Sequence, residues 1–270
     1  MIWDAPMNNV YKVIISVLIL LAWSTAIAQA EDDEQLKIAA LEALISAPPE
    51  RALPIARRVL EGSGSDELKS RALFVLSQMD SDEANQLLID TARNGSAELK
   101  VDAVRMIGIG GDEAALALLP ELYASGDSDT RDAVLEAYLI ADDSEAVYQI
   151  AANTEDPGEF DRAVEMLAAM DALDELRRLR SSAGMSRSLV QAYAITGDSD
   201  VLLETYQNAE SDDIRQAALE GLMIADDDEA VLQLFRQSQD AKEKRRLLEM
   251  LVAMDSEAVW DIIDSTLENE

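Results

Sequence analysis

Apolar residues return along the chain with the spacing of an amphipathic helix, in short repeated bursts. Ala133, Ala137, Ile140 and Ala141 fall at i, i+4, i+7 and i+8, while Asp132 and Glu136 share the opposite face. A second burst follows at once. Ala146, Val147, Ile150 and Ala151 form its apolar stripe, and Glu145, Gln149 and Asn153 its wet face. No stretch keeps the period-two alternation of a strand, so the pattern predicts an all-α chain made of helix pairs. Some first helices are apolar nearly all round. Ala217, Ala218, Leu219, Gly221, Leu222, Met223 and Ile224 leave only Gln216 and Glu220 clearly polar, which predicts neighbours on most sides.

The bursts are copies of one another. Residues 133–150, AVLEAYLIADDSEAVYQI, and 217–234, AALEGLMIADDDEAVLQL, share eleven of eighteen positions at an offset of 84. EMLAAMD at 165–171 returns as EMLVAMD at 249–255, six of seven identical, at the same offset. A finer beat is marked by an acid closing each apolar run, at Asp80, Asp112, Asp142, Asp171, Asp198, Asp226 and Asp255, spaced 32, 30, 29, 27, 28 and 29 residues. The offset of 84 is thus three units, as if a block of three had been duplicated. Asp142 with Glu145, Asp226 with Glu229 and Asp80 with Glu83 have the spacing of caps that start the second helix of a pair. Joints such as Asn94-Gly95-Ser96, Ser125-Gly126-Asp127-Ser128 and Pro157-Gly158 separate the units, and Gly108-Ile109-Gly110-Gly111 reads as a helix end. Pro54 is expected in the first turn of its helix, whereas Pro120 should kink or split the helix that begins near Asp112. Counting from Glu34 gives about eight pairs, the first broken at Pro48-Pro49. A single pair of about 30 residues cannot bury its own apolar faces, so neighbours must stack, which predicts an alpha-alpha superhelix over residues 31–270.

The units resemble the HEAT-like repeats first described in phycobilisome lyases. Hydrophobic-basic pairs open first helices at Leu68-Lys69, Leu99-Lys100 and Ile214-Arg215, and acidic, alanine-bearing starts such as Asp142-Asp143 and Glu145-Ala146 open second helices. The resemblance spans about residues 34–270, strongest over 65–155 and 211–264, and weakest around Met185–Glu210, where the basic opening is missing. It implies a HEAT/armadillo-like solenoid whose second helices line a concave surface. Tetratricopeptide repeats fit less well, because their Trp, Leu-Gly and Tyr markers are absent.

Composition narrows the chemistry. The 270 residues contain no histidine and no cysteine, which removes imidazole bases, thiol nucleophiles, disulfides and Cys/His zinc sites. Paired acids such as Asp142-Asp143, Asp212-Asp213 and Asp226-Asp227-Asp228-Glu229 could serve acid/base work or calcium, but they sit on the repeating turn position without the spacing of an EF-hand. The glycines match neither a phosphate loop nor a nucleophile elbow. No catalytic, cofactor-binding or metal-binding residue is therefore assigned, and no cofactor is expected. With 54 acidic and 22 basic side chains the net charge is -32, which repels nucleic acid and anionic lipid. Two basic clusters interrupt this field, Arg177, Arg178, Arg180, Arg187 and Lys242, Lys244, Arg245, Arg246. Both are read as bridging to acids of adjacent units, with a patch for phosphate or an acidic partner as the alternative.

Lys12 precedes an apolar run from Val13 to Trp23, and Ala28-Gln29-Ala30 offers small residues at the cleavage positions. Residues 1–30 thus read as a secretory signal peptide cut after Ala30, with an uncleaved anchor as the alternative, and the product is expected in the periplasm or secreted. Comparison of units singles out one column of the second helices, Gln86, Leu116, Tyr148, Leu232 and Trp260, and the next, Leu87, Ala117, Gln149, Gln233 and Asp261. A column accepting amide, acid and aliphatic residues reads as exposed. Tyr148, Trp260, Gln149 and Gln233 are accordingly the candidate partner-binding residues, with core packing as the competing account of Tyr148 and Trp260. The expected function is a monomeric, non-enzymatic scaffold or adaptor for protein partners, with charge favouring basic ones and no membrane insertion after cleavage. A tetrapyrrole-handling enzyme, implied by the family resemblance, and a purely structural envelope protein are the alternatives.

Overall fold

The computed structural model describes residues 32–268. The expected signal segment, 1–30, lies outside the described residues. The chain divides into two compact units, one ending at Ala137 and the other beginning at Tyr138.

Among the described residues every regular element is helical. In the first unit α1, over 32–42, and a 3-10 turn, Ala43–Ser46, lead to α2 (Pro49–Glu61). Then come α3 (Asp66–Ser77), α4 (Asp82–Asn94) and α5 (Ala97–Gly110), followed by the short α6 (Glu113–Leu116) and α7 (Leu119–Ser125). The unit boundary falls inside α8 (Ser128–Ile140). The second unit continues with α9 (Ser144–Asn153), α10 (Pro157–Ala169), α11 (Leu173–Ala183), α12 (Arg187–Thr196) and α13 (Ser199–Asn208). It ends with α14 (Asp212–Ile224), α15 (Asp228–Gln237), α16 (Ala241–Ala253) and α17 (Glu257–Glu268). Within each unit first helices stack on first helices, α3 on α5, and α10 on α12 on α14. Second helices stack likewise, α2 on α4, α9 on α11 and α13 on α15. This is the successive-pair packing that an alpha-alpha superhelix requires.

Local chemistry fixes the boundaries. Ser96 accepts the Leu99 N–H at 3.4 Å and Asp127 the Thr130 N–H at 2.9 Å, so the predicted joints do start helices. Pro120 lies in the first turn of α7 and separates it from α6, as expected. Pro54 departs from expectation, for it lies inside α2: the helix starts earlier, because Pro49 itself suits the first helical position.

The acidic markers also behave differently from expectation. Asp142, Asp171, Asp226 and Asp255 are left-handed, with φ of 57°, 54°, 55° and 52°. The Asp142 N–H donates to the Leu139 carbonyl and the Asp143 N–H to that of Tyr138, at 3.2 and 3.0 Å, the two bonds of a Schellman ending. Asp226 and Asp227 repeat this on Met223 and Leu222. These markers therefore end first helices instead of starting second ones. The cap is the next residue: Asp143 accepts the Ala146 N–H at 3.0 Å and Asp227 the Ala230 N–H at 2.8 Å. Asp80 also stands outside the cap, since Ser81 holds the N-cap position of α4 without a side-chain bond. Asp112 does cap, bonding the Ala115 N–H at 2.9 Å, because Gly111 takes the left-handed place before it.

In the first unit the core is built from fully buried residues such as Leu73, Leu76, Ile107 and Leu135, and in the second from Leu167, Leu176, Leu189 and Leu202. Gly108 lets α5 approach α8 so closely that a Cβ there would lie 2.6 Å from the Ala137 Cα. The apolar stripes are not buried to their ends. Ala133 and Ala137 are fully buried, but Ile140 is 49% exposed; Leu219 and Leu222 are buried, but Met223 and Ile224 face solvent. The expectation of neighbours on most sides of α14 therefore fails at its last turn.

Candidate functional site

Among the described residues no group of three or more metal-ligating side chains is gathered. No described helix is long and apolar enough to cross a membrane. What the second helices offer is surface.

Tyr148, Gln149, Gln233 and Trp260 are carried by α9, α15 and α17, and none of these three helices packs extensively on another. The second column is exposed at Gln149, Gln233 and Asp261, as its mixed composition predicted. The first column is divided. Leu232 is buried, Tyr148 is half-buried and Trp260 is 56% exposed. Core packing therefore accounts for Leu232 and not for Trp260.

Tyr148 belongs to a small, ordered cluster. The Arg178 guanidinium of α11 lies 3.7 Å from its ring centroid, within cation–π range. The same group donates to both carboxylate oxygens of Glu145, at 2.5 and 3.2 Å. Gln149 donates to Glu145 at 2.7 Å, and Asn153 to the Gln149 carbonyl at 2.7 Å. Arg178, with Gln149 second, holds the Glu145 carboxyl down to about pH 2. Arg178 and Tyr148, with Arg177, Ser181 and Ser182, line an open depression.

The first basic cluster is neutralised by neighbouring repeats, as expected. Arg177 bonds Asp198 at 2.7 Å, Arg180 pairs with Glu204 at 2.9 Å and Arg187 with Asp213 at 2.7 Å. The second cluster departs from expectation. Lys244 lies over the Phe235 ring, whereas Lys242, Arg245 and Arg246 are exposed on α16 and form no ion pair among the described residues. Their nearest acidic neighbour in sequence, Glu243, is engaged by Tyr206, whose hydroxyl donates to it at 2.6 Å.

Comparison of the units missed one feature. Two residues before four of the seven left-handed residues, Gly111, Asp142, Gly197 and Asp226, stands an isoleucine that faces solvent: Ile109, Ile140, Ile195 and Ile224. The helical period placed Ile140 and Ile224 with the apolar residues of their helices, yet they are 49% and 64% exposed. A signal was present in the sequence, since isoleucine recurs two or three residues before the markers Asp112, Asp142, Asp198 and Asp226.

A family model for HEAT repeats matches residues 57–139. Among solved structures the chain is similar to the complex of CpcE and CpcF of phycocyanin lyase from Nostoc sp. PCC7120. The identity is 17% and the TM-score 0.36, over 74% of this chain and 94% of that one. No curated protein matches the sequence. Residues 57–139 thus match HEAT repeats, and in each unit one helix pair stacks on the next.

Proposed function

We propose that this chain is an exported, non-enzymatic scaffold that binds protein partners in the periplasm or outside the cell. HEAT repeats are a plan for presenting surface, and the observation that carries the reading is Trp260, 56% exposed on the second-helix face. Gln149 and Gln233 extend that face with groups able to exchange hydrogen bonds with a partner. The charge of -32 favours basic partners and accelerates their approach.

The test is proximity labelling from the full chain in the native envelope, with sequencing of the mature N-terminus. One or two reproducible neighbours and a new terminus at Glu31 are expected. A diffuse field of labelled proteins would indicate a spacer without partners, and a cytoplasmic, uncut chain would remove the export claim.

A further inference from the structure

The second unit carries an apolar edge distinct from the second-helix face. Ile195 lies in the last turn of α12 and Ile224 ends α14, two helices packed on each other, and the residues are 63% and 64% exposed. Short turns through α13 reverse the chain twice, so α12 and α14 run the same way and present these ends together. Met223 widens the strip; Ile140 holds the same position on α8 as Ile224 on α14, and Val252, also exposed, lies one residue off that position on α16. Of the other large apolar side chains of α14, Leu219 and Leu222 are buried and Ile214 is half-buried. These side chains are thus surplus to the core, with a large one at the end of α8, α12 and α14 and alanine, Ala169, in the same place on α10.

Carboxylates border the strip. Asp142 follows Ile140 by two residues, Asp226 follows Ile224 by two, and Asp255 follows Val252 by three. Asp171 closes α10, which packs on α12. All four are exposed and form no ion pair or side-chain hydrogen bond among the described residues. An apolar strip flanked by unpaired acids is complementary to a helix or strand with apolar residues on one side and Lys or Arg beside them. We propose that this edge docks a cationic amphipathic segment of a partner protein. A second copy of the chain is the poorer occupant, since two molecules of charge -32 repel. The inference deepens the scaffold reading and rests on it.

The probe is a synthetic amphipathic peptide of Leu and Lys, about five helical turns long, titrated into the full chain. Wild type is expected to bind, with affinity falling steeply between about 0.05 and 0.3 M salt. Ile195→Ser combined with Ile224→Ser should weaken binding about tenfold or more. Both positions are exposed, so unchanged circular dichroism and melting should accompany the loss. Asp226→Asn with Asp255→Asn should weaken it at low salt. Glu155→Gln with Asp161→Asn, the same change of charge at exposed positions near the start of α10, should leave it within about twofold. Equal losses from the two charge pairs would reduce the effect to the general acidic field and overturn the proposal, as would indifference to the isoleucine changes or no binding at all. Loss confined to Trp260→Ala would place docking on the second helices, which sinks this edge and leaves the scaffold reading standing.

Discussion

The left-handed aspartates show how a single residue can serve two neighbours in sequence. A non-glycine residue at φ near 55° is strained, and a carboxylate beside the last carbonyls of a helix meets an unfavourable dipole. Asp tolerates the backbone better than most side chains, and at Asp142 and Asp226 it lies one residue before the cap of the next helix, where negative charge is favourable. Gly111 and Gly197 fill the equivalent place elsewhere, so the backbone does not require Asp. Asp142→Gly and Asp226→Gly should each stabilise the chain by about 0.5–1 kcal/mol, read as a higher urea midpoint, whereas Asp142→Ala should lower it. Glu145 supplies a test in pH. Its carboxyl is held near 2 against an ordinary 4.5, chiefly by the hydrogen bond from Arg178. The stability it contributes is therefore complete above pH 4.5 and is lost as pH falls through about 2. Arg178→Ala should raise the Glu145 titration, followed by carboxyl NMR, toward the ordinary range while the Gln149 hydrogen bond still holds it down, and should leave Tyr148 without its cationic cover.

Helix pairs were the most legible level of the sequence. The offset of 84 between the two EAV-containing stretches, with Gly-Ser and Gly-Asp joints, gave helix type, number of pairs and most starts. Periodicity identifies a face but says nothing of how far the neighbour extends along it, which is why Ile140 and Ile224 were read as core and lie outside it. The markers were misplaced by one residue for a related reason: in Asp142-Asp143 either acid has the composition of a cap, and only backbone geometry separates the helix end from the next start. The candidate surface was partly legible, in that mixed columns gave exposure at Gln149 and Gln233 but could not separate Trp260 from Leu232, both large and apolar. Packing between elements is least forgiving where α5 meets α8. A Cβ on Gly108 would fall 2.6 Å from the Ala137 Cα and 2.8 Å from its carbonyl oxygen, both backbone atoms. Gly108→Ala should therefore cost about 1–3 kcal/mol despite its favourable helix propensity, seen as a lowered thermal midpoint. A rise would mean that the two helices separate freely.

At the scale of the whole molecule two electrostatic effects oppose each other. Arginines stitch successive repeats: Arg93 reaches Glu121 at 2.9 Å, Arg105 reaches Glu136 at 2.5 Å and Arg187 reaches Asp213 at 2.7 Å, each pair about one unit apart in sequence. Against these contacts stands the mutual repulsion of 54 acids that only 22 bases can offset. The two respond differently to ions. Contact pairs lie well inside the screening length of about 10 Å at 0.1 M salt and keep most of their attraction, although as exposed pairs each is worth little. Repulsion is summed over many longer separations, and screening removes it first. Salt should accordingly raise the melting temperature, by about 3 °C or more between 0.02 and 0.5 M sodium chloride. The same ions would weaken a cationic partner at the acidic edge, so stability and peptide affinity should move in opposite directions across one titration. A melting temperature that falls with salt would show that the arginine ladder outweighs the repulsion. In that case Arg105→Gln should lower the midpoint at low salt and reduce its dependence on ionic strength.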